Sequence, residues 1–230
     1  TALAVAGLAN PQPINELVDY GLLEPVGEER YALHQSIATF LSGKAAVLAT
    51  QRLVEHVADF VQKQKQDVRQ IQQNYPVIEA GLTAAVAHRF SLQLTQIVHA
   101  LLGYVELVGL FDEAVRLVAM LDKVELAEPL AQILSTVSRG HLATLQRDGA
   151  EAETLLLVAR DAAESMNEKR LLADVNLLLG REYTKSGRMG TAESVYHAAL
   201  DVAVELDDAD LQAKVLTCLG LVAQNRGALD

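Results

Sequence analysis

The second half of the sequence repeats itself with a fixed period, and this period limits the folds that the chain can adopt. Gly140, Gly180 and Gly220 lie at intervals of 40, and several apolar residues recur with the same spacing. The matching pairs are Ala152 and Ala192, Leu156 and Tyr196, Ala159 and Ala199, and Gly187 and Gly227. A fixed period of this length is typical of stacked supersecondary units that bury their apolar faces against one another.

Each copy has the pattern of two amphipathic helices, a first helix (helix A) and a second one (helix B). The clearest copy predicts helix A over about 171–186, a turn at Gly187 and helix B over about 189–206. Gly187 can adopt the left-handed conformation that ends a helix. Gly180 has no side chain, so another helix can approach its backbone closely, at a cost of roughly 1 kcal/mol in helix propensity. The face of helix B that packs on helix A is predicted to carry Ala192, Tyr196 and Ala199.

Three further copies are less regular than the clear one. They cover residues 98–124, 134–164 and 214–230, beside the clear copy at 174–206. In the earliest copy Leu102 stands at the position of the small residue. In the next one Arg147 replaces the turn glycine, and we expect the nearby Gly149 to make the turn instead. The last copy stops at Asp230 before its second helix, and we expect the sequence to be cut short there.

The clear copy resembles the tetratricopeptide repeat (TPR) in its longer variant of about 40 residues. The residues that carry the resemblance are Leu179, Gly180, Tyr183, Gly187, Ala192, Tyr196 and Ala199. The resemblance implies a mainly α fold, in which an α-α superhelix forms a right-handed solenoid with a concave groove lined by the A helices. The positions that would face this groove are Val137, His141, Thr144, Asp174, Leu177, Arg181, Thr184, Lys185, Lys214, Thr217, Gln224 and Asn225.

The first 45 residues have a different pattern, which is the order of a winged-helix domain. The predicted elements are a short helix at 13–21, extended runs at 22–26 and 30–34 joined by a hairpin turn at 27–29, and a helix at 36–44. A winged helix can bind DNA through a helix in the major groove. Here the corresponding segment, residues 14–20, has two acids and no base, so the phosphate backbone would repel it. We therefore do not expect DNA binding by this chain.

Residues 17–23, the run at 30–34 and the apolar helix after it are similar to the winged-helix segment of STAND-type signalling ATPases (the NB-ARC group). Residues 67–114 also look like the linking helical region of these proteins. The resemblance implies that a nucleotide-binding domain precedes this segment and that helical or TPR sensor repeats follow it. We therefore expect a winged-helix domain at 1–45 that lacks part of its N-terminal end, a helical connector at 46–97 and repeats at 98–230.

The same resemblance gives His34 a role in the intact parent protein, where it would reach the β-phosphate of bound ADP. An imidazole can donate a hydrogen bond to a phosphate oxygen, so the role is chemically reasonable. The alternative is a histidine that packs in the wing and has no ligand. ADP or ATP is accordingly expected only in the intact parent, and no cofactor is expected in this chain.

The composition excludes several classes of function. The net charge is −11, and no segment has the basic stripe that binding to nucleic acid or to an anionic membrane would need. Cys218 is the single cysteine, so an internal disulfide or a cysteine-based zinc site is impossible, and we expect a small buried hydrophobic residue. The apolar stretch at 2–9 is too short to span a bilayer. We expect a soluble, cytoplasmic protein that does not bind membranes.

The sequence shows no catalytic pattern. It lacks the phosphate-binding motif GxxxxGK[ST] and the motifs GxGxxG and GxSxG. Its six histidines do not have the spacing of metal ligands, and the acids at 207, 208 and 210 lack the pattern of a calcium loop. We therefore expect neither an enzyme nor a metal site in this chain.

Two functions remain open. The first is the regulatory or sensor arm of a STAND-type ATPase, for example in transcription regulation, in which the repeats bind a protein, a peptide or a small inducer and the winged helix couples to the upstream ATPase domain. The second is a free-standing TPR adaptor that assembles proteins without nucleotide. In either case Arg181, Lys185 and Lys214 would form a basic strip able to recognise a carboxylate-bearing peptide, unless they belong to a solvated helix face.

Overall fold

The computed structural model describes residues 12–20, 23–27, 30–33 and 44–227, and in these residues the protein is mainly helical. Its elements are α1 (Gln12–Asp19), β1 (Leu23–Gly27), β2 (Arg30–Leu33), α2 (Lys44–Gln64), α3 (Val68–Ala87), α4 (Ser91–Val108), α5 (Phe111–Met120), a 3-10 turn (Leu121–Lys123), α6 (Pro129–Gln146), α7 (Gly149–Ser165), α8 (Lys169–Lys185), α9 (Met189–Glu205) and α10 (Ala209–Asn225). The described residues form two compact units. One extends to Tyr104 and includes Met120–Glu125, and the other comprises Val105–Ala119 and the residues from Leu126 onward.

The N-terminal segment consists of helix α1 and an antiparallel pair of strands. Leu23 pairs with Leu33, and Pro25 pairs with Tyr31. These strands coincide with the two extended runs that the sequence predicts. His34 and most of the helix predicted over 36–44 lie outside the described residues.

Helices α2 and α3 pack closely through a glycine. A Cβ atom placed on Gly81 of α3 would lie 2.8 Å from Cγ2 of Val57 in α2, so only glycine permits this approach. Val54, Val57 and Val61 of α2 are fully buried, as are Ile71 and Ile78 on α3. The Asp67 side chain accepts a hydrogen bond from the backbone amide of Gln70 and so caps the start of α3.

The second unit contains the helix pairs that the period of the sequence predicts. Helix α6 packs on α7, α8 packs on α9, and α10 packs on α9. The A helices α6 and α8 also contact each other, as do α8 and α10. Helices α8 and α9 confirm the predicted helix A and helix B of the clear copy to within two residues at each end.

The turns between these helices are also regular, and they recur at half the period of the repeat. A residue with positive φ stands at each of Arg147, Asn167, Gly187, Asp207 and Gly227. In the first four of these turns the next residue donates its amide to a carbonyl five residues back, for example Arg188 to Tyr183 at 2.8 Å and Asp148 to Ala143 at 3.0 Å. This is the hydrogen bond of the Schellman motif, which satisfies a free carbonyl at a helix end.

The turn after α6 corrects one expectation from the sequence. Arg147 itself adopts the left-handed conformation, with φ of 63°, and Gly149 is already the first residue of α7. The Asp148 carboxylate accepts a hydrogen bond from the amide of Glu151 and caps α7 at this point. Because the cap fixes where α7 begins, the residue before Asp148 must make the turn, whatever its side chain.

Replacing Arg147 with glycine is therefore expected to raise the free energy of unfolding by about 1 kcal/mol, because a left-handed conformation costs a residue with a Cβ roughly that amount. The control is Gln146→Gly, which places glycine in the last helical position of α6 and should lower the free energy of unfolding by up to about 1 kcal/mol. Urea unfolding followed by circular dichroism measures both. If the two variants lost equal amounts of unfolding free energy, the left-handed conformation assigned to Arg147 would be wrong.

The contact between helix A and helix B confirms the predicted role of the repeating glycines in two copies. A Cβ atom on Gly180 would lie 2.6 Å from Cδ1 of Tyr196, and one on Gly140 would lie 2.9 Å from Cγ of Leu156. The corresponding Gly220 of α10 has no such neighbour within 4 Å in the stretch of chain that the structure describes. The alanines that flank this contact on helix B are buried, namely Ala152, Ala159, Ala163, Ala192, Ala199 and Ala203.

Candidate functional site

One carboxylate in the second unit joins residues from two A helices. The Glu106 side chain, in the last turn of α4, lies 3.0 Å from Nε2 of His141 through its Oε2 atom. The same oxygen accepts a hydrogen bond from Nη1 of Arg181 at 3.0 Å, and Nη2 of Arg181 donates to Oε1. Arg181 thus holds Glu106 through both oxygens, in the two-point geometry that makes arginine–carboxylate pairs strong.

These contacts determine the charge state of Glu106. Burial alone would raise the pKa of this carboxyl group, but the hydrogen bonds from His141 and Arg181 and the positive charge of Arg181 lower the pKa well below its usual range. The side chain of Glu106 is 24% exposed, that of Arg181 is 32% exposed and that of His141 is 8% exposed. Glu106 is therefore ionised near neutral pH and is partly accessible to solvent.

Glu106 and Arg181 line a groove of about 980 Å³, which we call the cationic groove. It is bounded by the ends of α4, α6 and α8, the start of α5 and the first turns of α7. Its charged lining residues are the cations Arg147, Arg181, Lys185 and Arg188 and the acids Glu106, Glu153 and Glu182. Four cations against three acids leave a net charge of +1, in a chain whose total is −11.

The cations of the groove differ in how they are paired. Lys185 Nζ lies 2.8 Å from a carboxylate oxygen of Glu182. Arg188 binds both oxygens of Glu153, at 2.9 and 2.7 Å, and its guanidinium lies 4.4 Å from the centre of the Tyr183 ring. Arg147 is exposed and has no ion-pair partner within the described residues.

An apolar side chain also lines the groove. Phe111, the first residue of α5, contributes to the lining and is 54% exposed. Val115 lies four residues further along α5, so it shares a helix face with Phe111, and it is 44% exposed. The groove therefore combines positive charge with an open apolar surface.

The structure brings together only some of the site residues that the sequence predicts. His141 and Arg181 meet at Glu106, while Thr144 and Lys185 line the cationic groove and are joined by a 3.3 Å hydrogen bond from Lys185 to the Thr144 carbonyl. Val137 is fully buried and has no surface to offer a partner. The remaining candidates do not line the groove, namely Asp174, Leu177, Thr184, Lys214, Thr217, Gln224 and Asn225.

Of the predicted basic strip, Arg181 and Lys185 lie in the groove and Lys214 does not. Lys214 is exposed on α10, whereas Arg147 and Arg188 supply the other positive charges of the groove. Cys218, which was expected to be buried, is half-exposed on the same helix. The nucleotide-contacting candidate His34 lies outside the described residues.

The sequence pattern missed Glu106, although a signal for it was present. Glu106 stands three residues before the turn at Gly109, as Thr144 stands before Arg147 and Thr184 before Gly187. The left-handed turns at Gly109 and Arg147 are slightly closer together than those at Arg147 and Gly187. Aligning the copies on these turns, rather than on the period of their glycines, would have put Glu106 in register with the two threonines.

Comparison with known proteins adds no assignment to this site. No protein-family model, no curated protein and no solved structure matches this chain. Within the described residues, no helix is both long and apolar enough to cross a membrane. The same residues contain no cluster of three or more histidine, cysteine or acidic side chains arranged to hold a metal ion.

Proposed function

We propose that the helical pairs from residue 105 onward form a TPR-like binding module, and that the cationic groove is where its partner binds. The observation that carries the proposal is the positive groove in a strongly acidic protein. Arg181 and Lys185 lie on one A helix, α8, and Arg147 lies in the turn after the preceding A helix, α6. All three line the same groove. A repeat that presents equivalent positions side by side is suited to binding an extended chain segment.

The chemistry of the groove favours a carboxylate-bearing peptide as the partner. Arginine and lysine bind carboxylates through charge-assisted hydrogen bonds, which are about twice as strong as neutral ones. The exposed Phe111 ring offers an apolar contact beside these charges. A peptide that places an acidic residue next to a leucine or an aromatic residue would satisfy both. A nucleic acid is disfavoured because the net charge of −11 repels its backbone.

For the whole chain we propose the regulatory arm of a STAND-type signalling ATPase. In support, helix α1 and the β1–β2 hairpin stand in the order expected of a winged helix, and helical pairs follow them. Binding of a partner to the repeats would then act on an upstream nucleotide-binding domain, where His34 would contact ADP. The alternative is a free-standing TPR adaptor. A nucleotide-binding P-loop encoded upstream of Thr1 would favour the regulatory arm, and an initiation codon close to Thr1 would favour the adaptor.

The binding proposal predicts which peptides the protein selects. A phage-displayed library of random dodecapeptides, selected on the wild-type protein, is expected to yield peptides rich in acidic residues beside leucine or phenylalanine. Replacing Lys185 with glutamate should weaken binding of a selected peptide at least about tenfold, because one attractive contact becomes repulsive. Fluorescence anisotropy with the labelled peptide measures the dissociation constant.

The control is Lys214→Glu, which changes the net charge by the same amount. Lys214 is also an exposed lysine of an A helix, but it does not line the groove. We expect less than about a twofold change, because Lys214 does not line the groove and salt screens exposed charges over a Debye length of about 8 Å. A selection with no acidic enrichment, or equal losses in the two variants, would overturn the groove as the binding site.

A further inference from the structure

Glu106 occupies the position that an incoming carboxylate would take. It binds Arg181 through both of its oxygens, and one of these oxygens also contacts His141. His141 in α6 and Arg181 in α8 are separated by one full period, so they hold the same position in successive repeats. Glu106 therefore bridges two equivalent positions that a bound peptide would be expected to contact in turn.

The contact with Glu106 limits how Arg181 can bind a second carboxylate. A guanidinium group has two edges of paired N–H donors, Nη1 with Nη2 and Nε with Nη2, and Glu106 occupies the first of them. An external carboxylate can bind this edge of Arg181 only if Glu106 releases it. Nη1 and Nη2 are both engaged by Glu106, so the two carboxylates compete for the same donors.

The pair is nevertheless accessible enough to exchange. About a third of the Arg181 side chain and a quarter of the Glu106 side chain are exposed, so water can reach both charges. Glu106 lies in the last turn of α4, and its carboxylate would be well solvated once released from Arg181. Protonation does not release it near neutral pH, because Arg181 and His141 keep its pKa low. Displacement by another anion is the remaining route.

We propose that Glu106 is an internal occupant of the cationic groove, which holds Arg181 and His141 until the carboxylate of an acidic peptide displaces it. The inference rests on the proposed function, since it concerns the same groove and the same class of partner. Glu106 lowers the affinity for the peptide, because some of the binding free energy is used to break the internal pair. It also keeps Arg181 from pairing with unrelated anions.

Replacing Glu106 with glutamine tests this proposal. Glutamine keeps the size of the side chain and removes its charge, so Arg181 loses the charge-assisted, two-point contact and is held only weakly. We expect the peptide selected on the wild-type protein to bind the Glu106→Gln variant about tenfold more tightly in fluorescence anisotropy, which corresponds to one charge-assisted hydrogen bond. The shorter but still charged Glu106→Asp variant should bind with an intermediate affinity.

Glu153→Gln is the matched control. Glu153 also lines the groove, also binds an arginine through both oxygens, and its replacement adds the same single positive charge. Arg188, however, remains stacked on Tyr183 and is not bridged to a second repeat position. We expect its effect on affinity to be less than about threefold, since an added exposed charge contributes little. Thermal unfolding confirms that each variant is folded before binding is measured.

The outcomes separate this inference from the proposed function. A gain for Glu106→Gln that exceeds the gain for Glu153→Gln supports the internal occupant. Equal gains mean that only the net charge matters, and a loss means that Glu106 supports the peptide site. Both of these results overturn the inference while leaving the groove as the binding site, provided that Lys185→Glu still weakens binding. If no acidic peptide is selected on the wild-type protein, both proposals fail.

Discussion

A methyl group on Gly180 is expected to lower the free energy of unfolding by about 2–3 kcal/mol, because it overfills a tightly packed contact. The added Cβ would lie 2.6 Å from Cδ1 and from Cζ of Tyr196, and the ring itself is 1% exposed. A real Cβ atom does not tolerate such distances, and the buried ring has no free space to move into. Helix α8 and helix α9 must therefore separate, and this costs more than the gain in helix propensity of alanine over glycine, about 1 kcal/mol.

Gly220→Ala supplies the matched control for this substitution. Gly220 occupies the same position in α10, one repeat later, and an added Cβ meets no described atom within 4 Å. Only the helix propensity changes, so we expect the free energy of unfolding to rise by roughly 0.5–1 kcal/mol. Urea titrations monitored at a helix-sensitive wavelength give both values. If Gly180→Ala were neutral or stabilising, the close contact between α8 and α9 would be wrong.

Truncating Tyr196 to alanine is expected to have the largest effect, a loss of about 3–5 kcal/mol. The ring is fully buried against the glycine of α8, and its removal leaves a cavity between the two helices. The same truncation should reverse the effect of Gly180→Ala. Without the ring, the added methyl group enters the cavity, and the double variant should be no less stable than Tyr196→Ala alone.

Tyr196→Phe separates the ring from its hydroxyl group. The hydroxyl oxygen lies 3.4 Å from Oγ1 of Thr184, which is a long hydrogen bond, so its loss should cost less than about 1 kcal/mol. Differential scanning calorimetry or urea unfolding measures all of these effects. The variants are Gly180→Ala, Tyr196→Ala, the double variant and Tyr196→Phe, each compared with the wild-type protein. A loss for phenylalanine that approached the loss for alanine would show that the hydroxyl, rather than the packing of the ring, stabilises this contact.

Local features of the repeats could be predicted from the sequence because they depend on residues close together in the chain. Helix length follows from the apolar period, and Gly187 ends α8 because its backbone is free to adopt a positive φ. The contact of Gly180 with Tyr196 lies within a single helical pair. The period of the repeat then carries the same prediction to Gly140 and Leu156, where it also holds.

The ion pairs of the groove could not be predicted in this way. Glu106 and Arg181 are 75 residues apart, and their contact depends on how α4, α6 and α8 lie relative to one another. No local period reports that arrangement. The groove also takes its charge from turns as well as from helices, because Arg147 and Arg188 lie between elements. The prediction from the sequence considered only the faces of the A helices. It therefore included Lys214 in the basic strip and omitted Arg147 and Arg188.

The left-handed turn at Arg147 places stability and recognition in opposition at one position. Glycine would relieve the backbone there, as it does at Gly187 and Gly227, yet the arginine contributes the one cation of the groove that has no partner among the described residues. Selection for a robust fold alone would remove this side chain, while selection for an acidic ligand would keep it. If the groove binds as proposed, an engineer who stabilises this protein by consensus turn design would weaken its affinity with the same substitution.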